Sequence, residues 1–347
     1  MMKVLKGGGS EFRMMITQLG GAGGGPTGGN VTYVLPFTSE SLNPTGEFIN
    51  SNAITASRSR GVGDVGNRAA DGSFETEVNF HLMPMMMYSV LGATSGTNII
   101  PSDNKLPTYE VGVQHGASAS PKITQFSDVL VNSLRFTWAS NAIMTASFDI
   151  VGLVEAGSPA MPDTNVKNLT NNILLFPARF IRSGTGQSEL KFDSGGDAVK
   201  LLDYALDFEF SIDNGIDVDT YALDASGRLT LVPGELAVTG STTLLVPATG
   251  ELRANLDALT IGSEWPWITL GIDNGATERH VIKLQNIYIQ DISHDIADRG
   301  KVAYDIDFVA VFDGTKVDAL DKQPILMALA ASGTAGTHYH RFLGNTA

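Results

Sequence analysis

The sequence predicts a mainly β protein with two tandem, duplicated β-sandwich or β-barrel domains and short flanking helices. Glycine is frequent, at 38 of 347 residues or about 11% against the usual ~7%, while charged residues make up only 17%. This combination is typical of many short strands joined by tight turns. Several segments alternate apolar and polar residues with the period of a strand, and short segments recur in a common order along the chain.

The N-terminal segment, residues 1–30, contains ten glycines. Such a segment buries too little surface to offset the entropy lost on ordering. The sequence therefore predicts a flexible N-terminal arm that only a partner would order. From Val31 onward, β-branched and aromatic runs broken by Gly, Asn, Asp and Pro predict the first β domain.

Four stretches are expected to form strands. Residues 73–80 and 201–212 alternate with period two, and the second ends in the turn signal Asp213-Asn214-Gly215. Residues 144–151 and 302–312 predict strands with one or both faces buried. The chain therefore carries strand patterns in both of its halves.

Helical periodicity is confined to three short stretches, residues 84–91, 251–259 and 318–331. A glycine closely follows each of them and is suited to end a helix in the left-handed conformation. The run Met85-Met86-Met87 in the first stretch is interpreted as adaptable core filling. Three short helices are therefore expected beside the strands.

An internal duplication is indicated by five pairs of short matches. Each match is weak by itself, but their order is the same in both halves, and one insertion or deletion of about ten residues reconciles the spacings. The matched pairs are 41–43 with 211–213, 72–73 with 240–241, 91–92 with 261–262, 112–118 with 271–277 and 148–151 with 306–309, at separations of 170, 168, 170, 159 and 158 residues.

The matches divide the chain into five predicted segments. These are an N-terminal Gly-rich arm (1–30), a first β domain (31–157), a linker (158–175), a second β domain (176–313) and a C-terminal helix and tail (314–347). The two domains are expected to share one topology, because the matches keep a common order.

The charge balance argues against several classes of function. Lys and Arg number 23 against 37 Asp and Glu, a net charge of −14, and such a surface repels nucleic-acid phosphates and anionic membranes. The absence of cysteine excludes disulfides, thiolate metal sites and cysteine nucleophiles. No apolar run approaches the ~18 residues of a membrane span, and no signal peptide is expected. A reducing cytoplasm is the expected place of synthesis.

No motif predicts a catalytic, cofactor or metal site. Two stretches, 23–28 and 61–66, fit G-x-G-x-x-G, but neither is followed by a helical pattern that would place a helix at a pyrophosphate. The acidic residues around Asp213 lack the Gly and Glu positions of a calcium loop. His338 and His340 share one face of a C-terminal segment, which is interpreted as a surface tail. The sequence contains no G-x-S-x-G elbow, and nothing in the spacing of Ser, His and Asp selects a triad.

Several segments together resemble the major tail tube proteins of long-tailed, siphovirus-type bacteriophages. The resemblance extends from about residue 31 to residue 313, and the sequence departs from the family at the Gly-rich arm. The segments that carry it are 37–42, 47–49, 57–66, 72–78, 91–92 and, in the second half, 208–215 with its strand and turn.

The resemblance implies a fold and a function. Each predicted β domain would be a tail-tube-type sandwich or barrel with a flanking helix. Domains would join edge to edge into rings with a continuous β-barrel as inner wall, and rings would stack into the tube that delivers DNA into the host. The implied role is a structural, self-assembling virion protein and not an enzyme, assembled in the host cytoplasm without cofactors and without a membrane.

The expected partners are other copies of the chain, the tape-measure protein and the tail terminator and tip proteins, with DNA only in transit. Two similar domains per chain predict three copies in a ring with six domains, whereas six copies are expected if the repeat is only apparent. A β-sandwich receptor-binding or adhesin component is the alternative function. That alternative predicts aromatic clusters on loops, but Trp138, Trp265 and Trp267 lie in strand-like runs.

Two groups of site residues follow from this interpretation. The Gly-rich hairpin from about residue 57 to residue 71 is too polar for a core and too long for a minimal turn, so it is expected to contact the adjacent ring. The strands that line the lumen are expected to present carboxylates, because a wall that binds phosphates would hold DNA. The predicted inter-ring residues are Arg58, Arg60, Asp64, Arg68 and Asp71, and the predicted lumen residues are Glu75, Glu77, Asp203 and Asp207.

Overall fold

A computed structural model describes part of the protein. The described residues are 12–18, 31–35, 37–49, 64–78, 80, 82–102, 105–115, 122–156, 188–193, 199–200, 204–221, 228–247, 251–265, 267–273, 279–298 and 301–329.

The described part of the first half contains one helix and eleven strands. They are β1 (Phe12–Gln18), β2 (Val31–Leu35), β3 (Ser39–Glu40), β4 (Asn43–Ile49), β5 (Asp64–Glu77), α1 (Met83–Leu91), β6 (Gly92–Ser95), β7 (Asn98–Pro101), β8 (Tyr109–His115), β9 (Lys122–Ala139), β10 (Thr145–Gly152) and β11 (Val154–Ala156).

The described part of the second half contains a second helix, here named α2, and ten strands. They are β12 (Ser188–Asp193), β13 (Val199–Lys200), β14 (Ala205–Asp213), β15 (Ala237–Pro247), α2 (Glu251–Asp257), β16 (Glu264–Trp265), β17 (Trp267–Asp273), β18 (Arg279–Leu284), β19 (Ile287–Asp298), β20 (Lys301–Ala310) and β21 (Ile325–Ala328). The predicted mainly β class is confirmed.

The strands form two sheets. The main path of the larger sheet runs β16-β19-β20-β15-β14-β9-β10-β5-β3, and β4 continues the β3 edge along β5. Strands β1, β2 and β8 join this sheet through the first part of β9, as does β11. The smaller sheet runs β13-β12-β17-β18-β21-β7-β6. Within the described residues neither sheet closes into a barrel, which is consistent with a β-sandwich.

Alternation along the strands gives the larger sheet one core face and one polar face. Residues opposite each other in neighbouring strands share a face, so complete rows can be followed across the sheet. A core row consists of Thr76, Ala146, Phe136, Phe210, Gly240, Phe308 and Ile289. The adjacent row consists of Glu77, Thr145, Thr137, Glu209, Ser241, Asp307 and Asp291.

Helix α1 lies wholly within the core. Pro84 stands at its start, and Gly92 ends it at φ 84°, where the Gly92 N–H donates to the carbonyl of Tyr88. All nine residues of α1 are buried, including the predicted methionine run. The helix is apolar all round because it is covered on every side.

The two halves of the larger sheet have the same strand order. In the first half β3, β5, β10 and β9 are neighbours, and in the second half β14, β15, β20 and β19 are neighbours in the corresponding order. Phe74 lies opposite Phe148, and Thr242, 168 positions later, lies opposite Ile306, 158 positions after Phe148. Strands β9 and β19 also bulge at equivalent places, Asn132 and Gln290, which are 158 positions apart.

Two segments differ from the sequence-based expectation. Residues 318–331 were expected to be helical, but the described residues 318–324 form turns and bends and 325–328 form β21. The prediction is wrong because Ile325 and Met327 are buried between β18 and β7, so pairing with two strands outweighs the weak local helical preference. Within the predicted Gly-rich arm, Phe12–Gln18 forms β1, which pairs with β2 and β8.

Candidate assembly surfaces

The polar face of the larger sheet is rich in carboxylates. Of the predicted lumen residues, Glu75 and Glu77 lie on this face in β5, and Asp207 lies on it in β14. Asp203 lies outside the described residues. The same face carries further carboxylates, which are Asp149, Glu209, Asp213, Asp291, Asp295, Asp305 and Asp307.

The pKa of one carboxylate of the polar face, Asp149, is shifted. Burial raises the pKa of Asp149 above its ordinary value, and the negative charges of Asp71 and Asp213 raise it further. A hydrogen bond from Asn132 Nδ2 to Asp149 Oδ2, at 3.4 Å, acts in the opposite direction. The charged form of Asp149 is therefore disfavoured in the folded chain.

We expect Asp149→Asn to change how the unfolding free energy depends on pH. Because the pKa of Asp149 is higher in the folded than in the unfolded chain, its favourable contribution is present at low pH and is lost as pH rises through the folded pKa. The variant should therefore gain stability relative to the natural chain as pH rises. Urea unfolding at a series of pH values measures this difference, with Asp305→Asn as the control for removing one charge. A difference that does not change with pH contradicts the prediction.

The two halves meet at an antiparallel junction between β9 and β14. Its register places Phe136 opposite Phe210 and Arg135 opposite Ser211. The rings of Phe136 and Phe210 are both fully buried and stack with centroids 4.9 Å apart. On the polar face, Arg135 Nη2 bonds the carboxylate of Glu209 at 2.6 Å. The junction thus has an apolar side and a charged side.

A segment of the second half crosses this junction and lies on the first half. We name it the clasp, residues 214–221 and 228–236, whose two arms meet at the bridges Asp217–Val232 and Tyr221–Arg228. Ile216 of the clasp packs against Leu130 and Val151 of the first half. The clasp therefore covers one end of the polar side of the sheet.

Arg228 anchors the clasp. Its side chain is only 5% exposed and binds the Asp71 carboxylate through both terminal nitrogens, with Nη2 at 2.8 Å from Oδ2. Nη1 also donates to the Gly152 carbonyl at 3.2 Å, and Nε donates to the Val218 carbonyl at 2.8 Å. Burial alone would lower the pKa of Arg228, but the hydrogen bonds and charge of Asp71 outweigh this and raise it. The guanidinium of Arg228 thus stays charged although it is buried between the clasp and the first half.

Two asparagines form further hydrogen bonds between the clasp and the first half. The Asn214 amide nitrogen donates to the carbonyls of Val90 and Val131, both at 3.1 Å. Asn132, the bulge residue of β9, accepts from Ile216 N–H through its side-chain oxygen at 2.9 Å. No local sequence pattern marks Arg228 or Asn132 as a contact residue, and Asn214 is recognisable only as part of the turn signal Asp213-Asn214-Gly215.

The predicted inter-ring residues are only partly described. Arg58 and Arg60 lie outside the described residues. Asp64 and Arg68 belong to β5, and Asp71 follows them in the same strand. The structure places the Asp71 carboxylate against Arg228 of the same chain.

The main path of the larger sheet ends in two edges, and its side branches end in the outer strands β2 and β11. One is formed by β3 and β4, which lie beside β5. The other is β19, where β16 pairs only with Ile287 and Tyr288, and residues 290–298 have no further strand beside them among the described residues. Exposed strand edges are ready to pair with another chain.

Other candidate sites receive no structural support. Within the described ranges, no group of three or more His, Asp or Glu residues could hold a metal ion. Asp64, Val65 and Gly66 of one G-x-G-x-x-G match lie in strand β5 and open no helix, while residues 61–63, the 23–28 match, His338 and His340 lie outside the described part. No helix in the described part is long and apolar enough to cross a membrane.

Comparison with known proteins identifies a family for this chain. The family model of the phage tail tube protein matches residues 17–310, which include both halves of the larger sheet. No curated protein matches the sequence. Members of this family are structural components of the phage virion tail. The resemblance seen in the sequence is confirmed, and the chain belongs to the phage tail tube protein family.

Proposed function

We propose that this chain assembles into closed rings that stack into the tail tube through which DNA is delivered into the host. The supporting observation is the main path of the larger sheet, which has one polar face, one core face and an edge at each end. Joining the edges of successive copies head to tail removes both edges from every chain. A ring formed in this way has a barrel wall with one face toward the lumen.

We propose three copies in each ring. The two halves of one chain have the same strand order, a bulge at the same place and residue separations of 168 before and 158 after one change of ten residues, which supports an internal duplication with two tube domains per chain. Three copies then supply six similar domains. Without the duplication, six copies would be expected.

The polar face is proposed to line the lumen. Glu75, Glu77 and Asp207 on this face, together with Asp203, would make the wall net negative, while Arg135 on the same face is bound to Glu209. Negative charge would keep DNA from adhering within a Debye length of roughly 10 Å. A map of the electrostatic potential in an experimental tube structure tests this, and a predominantly positive lumen contradicts it.

The hairpin from about residue 57 to residue 71 is proposed to contact the adjacent ring, with Arg58, Arg60, Asp64, Arg68 and Asp71 as its charged residues. The clasp supports this proposal. It is the segment between β14 and β15 in the second half, and it packs on the other half, so the hairpin at the corresponding place in the first half is also expected to reach beyond its own domain. Arg58→Glu with Arg60→Glu should shorten tubes and lower their salt resistance while rings remain. Tubes of unchanged length contradict this role.

The proposed partners follow from the tube. Besides its own copies, the chain would contact the tape-measure protein inside the tube and the terminator and tip proteins at its ends. Assembly would take place in the host cytoplasm. DNA would pass through the tube without being bound.

Electron microscopy and native mass spectrometry of the purified chain test the proposed function. The expected result is rings or tubes, with a mass of three chains per ring and three-fold or pseudo-six-fold cross-sections. Rings of six chains would retain the tube function and overturn the three-copy proposal. Monodisperse monomers under all assembly conditions would overturn the tube function and favour a receptor-binding or adhesin component.

A further inference from the structure

We propose that the β3–β4 edge of one copy pairs with the β19 edge of the next copy in the register of the internal β9–β14 junction. This inference rests on the ring assembly proposed above and adds the identity and register of the strands that join the copies. The occupant of each edge is therefore a second copy of this chain, through its opposite edge.

The residue separations between the two halves identify which strands correspond. Glu40 lies opposite Phe74, and Phe208, 168 positions after Glu40, lies opposite Thr242, 168 positions after Phe74. The β3–β4 edge therefore corresponds to β14. In the same way Leu134 lies opposite Phe148, and Ile292, 158 positions after Leu134, lies opposite Ile306. Strand β19 therefore corresponds to the second part of β9.

The internal junction therefore pairs a strand equivalent to the β3–β4 edge, which is β14, with a strand equivalent to the β19 edge, which is β9. Asp207 pairs with Ala139 at one end of the junction, and Asp213 pairs with Ser133 at the other. Subtracting 168 from each β14 residue number gives its counterpart in the β3–β4 edge, and adding 158 to each β9 residue number gives its counterpart in β19. The two counterparts of each internal pair are the residues expected to pair between copies. The expected pairs are Ser39 with Ala297, Glu40 with Ile296, Ser41 with Asp295, Leu42 with His294, Asn43 with Ser293, Pro44 with Ile292 and Thr45 with Asp291.

The backbone amides of both edges point the right way for this pairing. Ser41 N–H donates inward to the Ser73 carbonyl, so the N–H of Leu42 points outward, where it donates to the Glu40 carboxylate at 3.0 Å. On the other edge, Ile292 N–H donates to the Asp291 carboxylate at 2.9 Å. On each edge, an outward backbone N–H thus donates a hydrogen bond to a carboxylate of its own strand. In the proposed junction, carbonyls of the neighbouring copy replace both carboxylates.

The β19 edge also exposes apolar side chains that its counterpart buries. Ile296 is 84% exposed, whereas Trp138, its counterpart in β9, is 4% exposed. Leu134 is fully buried, and its counterpart Ile292 is half-buried. Strand β14 covers the β9 residues, so a strand from another copy would cover Ile292 and Ile296 in the same manner.

One difference between the two junctions concerns Pro44. It corresponds to Ile212 of β14 and has no N–H, so the junction between copies contains one hydrogen bond fewer than the internal junction. Proline is tolerated in an edge strand where its nitrogen points away from the sheet, as it does here. A weaker junction between copies than within the chain is the expected consequence.

Cysteine pairs test the register, because the chain contains no cysteine of its own. Asn43→Cys with Ser293→Cys places both residues at a non-hydrogen-bonded pair, where Cα atoms lie about 4.5 Å apart, within the range of a disulfide. The matched control is Arg135→Cys with Ser211→Cys, the same pair of positions in the internal junction. An out-of-register control, Asn43→Cys with Asp291→Cys, places the two residues about 7–8 Å apart.

After assembly and mild oxidation, non-reducing gel electrophoresis is expected to show covalent chains of copies ending at the size of one ring for the Asn43/Ser293 pair. The Arg135/Ser211 control should crosslink only within one chain, and the out-of-register pair should remain largely unlinked. Rings that form without Asn43/Ser293 crosslinks, or that crosslink better through Asn43/Asp291, overturn the proposed register while leaving the tube function intact. Absence of rings for the natural chain instead overturns the proposed function.

Discussion

Phe210→Ala is expected to lower the free energy of unfolding by about 3–5 kcal/mol. The Phe210 side chain is fully buried at the junction of the two halves, where it stacks on Phe136 and also contacts Phe208 at a centroid distance of 6.0 Å. Removing the ring leaves a cavity lined by residues of both halves, which the sheets cannot fill by small movements. Urea unfolding of the purified variant, followed by circular dichroism, measures the loss.

Leu206→Ala in the same strand is the matched control. Leu206 is 43% exposed, so its truncation removes little buried surface and should change the unfolding free energy by less than about 1 kcal/mol. If Phe210→Ala costs no more than Leu206→Ala, the β9–β14 junction does not hold the two halves together in the way the structure indicates.

Arg228→Met is expected to lower the free energy of unfolding by about 2 kcal/mol or more. Breaking a buried ion pair leaves the other charge without its partner, and here the carboxylate of Asp71 stays 33% exposed, which reduces the cost below that of a fully buried pair. The variant also leaves the carbonyls of Gly152 and Val218 without the hydrogen bonds from Arg228. Proteolysis of the clasp should become faster as well, because its anchor is lost.

Arg135→Met tests whether burial is the cause of this effect. Arg135 also forms an ion pair, through Nη2 with Glu209, but its side chain is 58% exposed, so the expected loss is below about 1 kcal/mol. A double-mutant cycle with Arg228→Met and Asp71→Asn isolates the interaction energy of the buried pair. A coupling energy near zero would show that the pair does not anchor the clasp.

Part of the secondary structure was predictable because its signals are local. Alternation in residues 73–80, 144–151 and 302–312 is visible in the sequence and corresponds to β5, β10 and β20. Helices α1 and α2 were likewise predicted from short periodic stretches. The prediction failed at residues 318–331, where two strands distant in sequence decide the conformation of a short apolar run.

The candidate surfaces were less predictable than the elements that carry them. Alternation showed that Glu75 and Glu77 share a face of β5, but only pairing showed that Asp207 shares it, since β5 and β14 are separated by β10 and β9. No sequence pattern predicted that the clasp would pack on the first half. Arg228 and Asp71 are 157 residues apart, and no pattern near either residue marks it as half of an ion pair.

The sequence by itself determined the mainly β class, the position of four strands (β5, β10, β14 and β20) and the family resemblance, because alternation, turn residues and short motifs act over a few neighbouring residues. Only the tertiary structure decided that the two halves join through β9 and β14, that the clasp covers the first half, and which edges remain for another copy. Strand pairing between distant segments depends on hydrogen bonds and packing that form only when the whole sheet is assembled, so no local pattern specifies it.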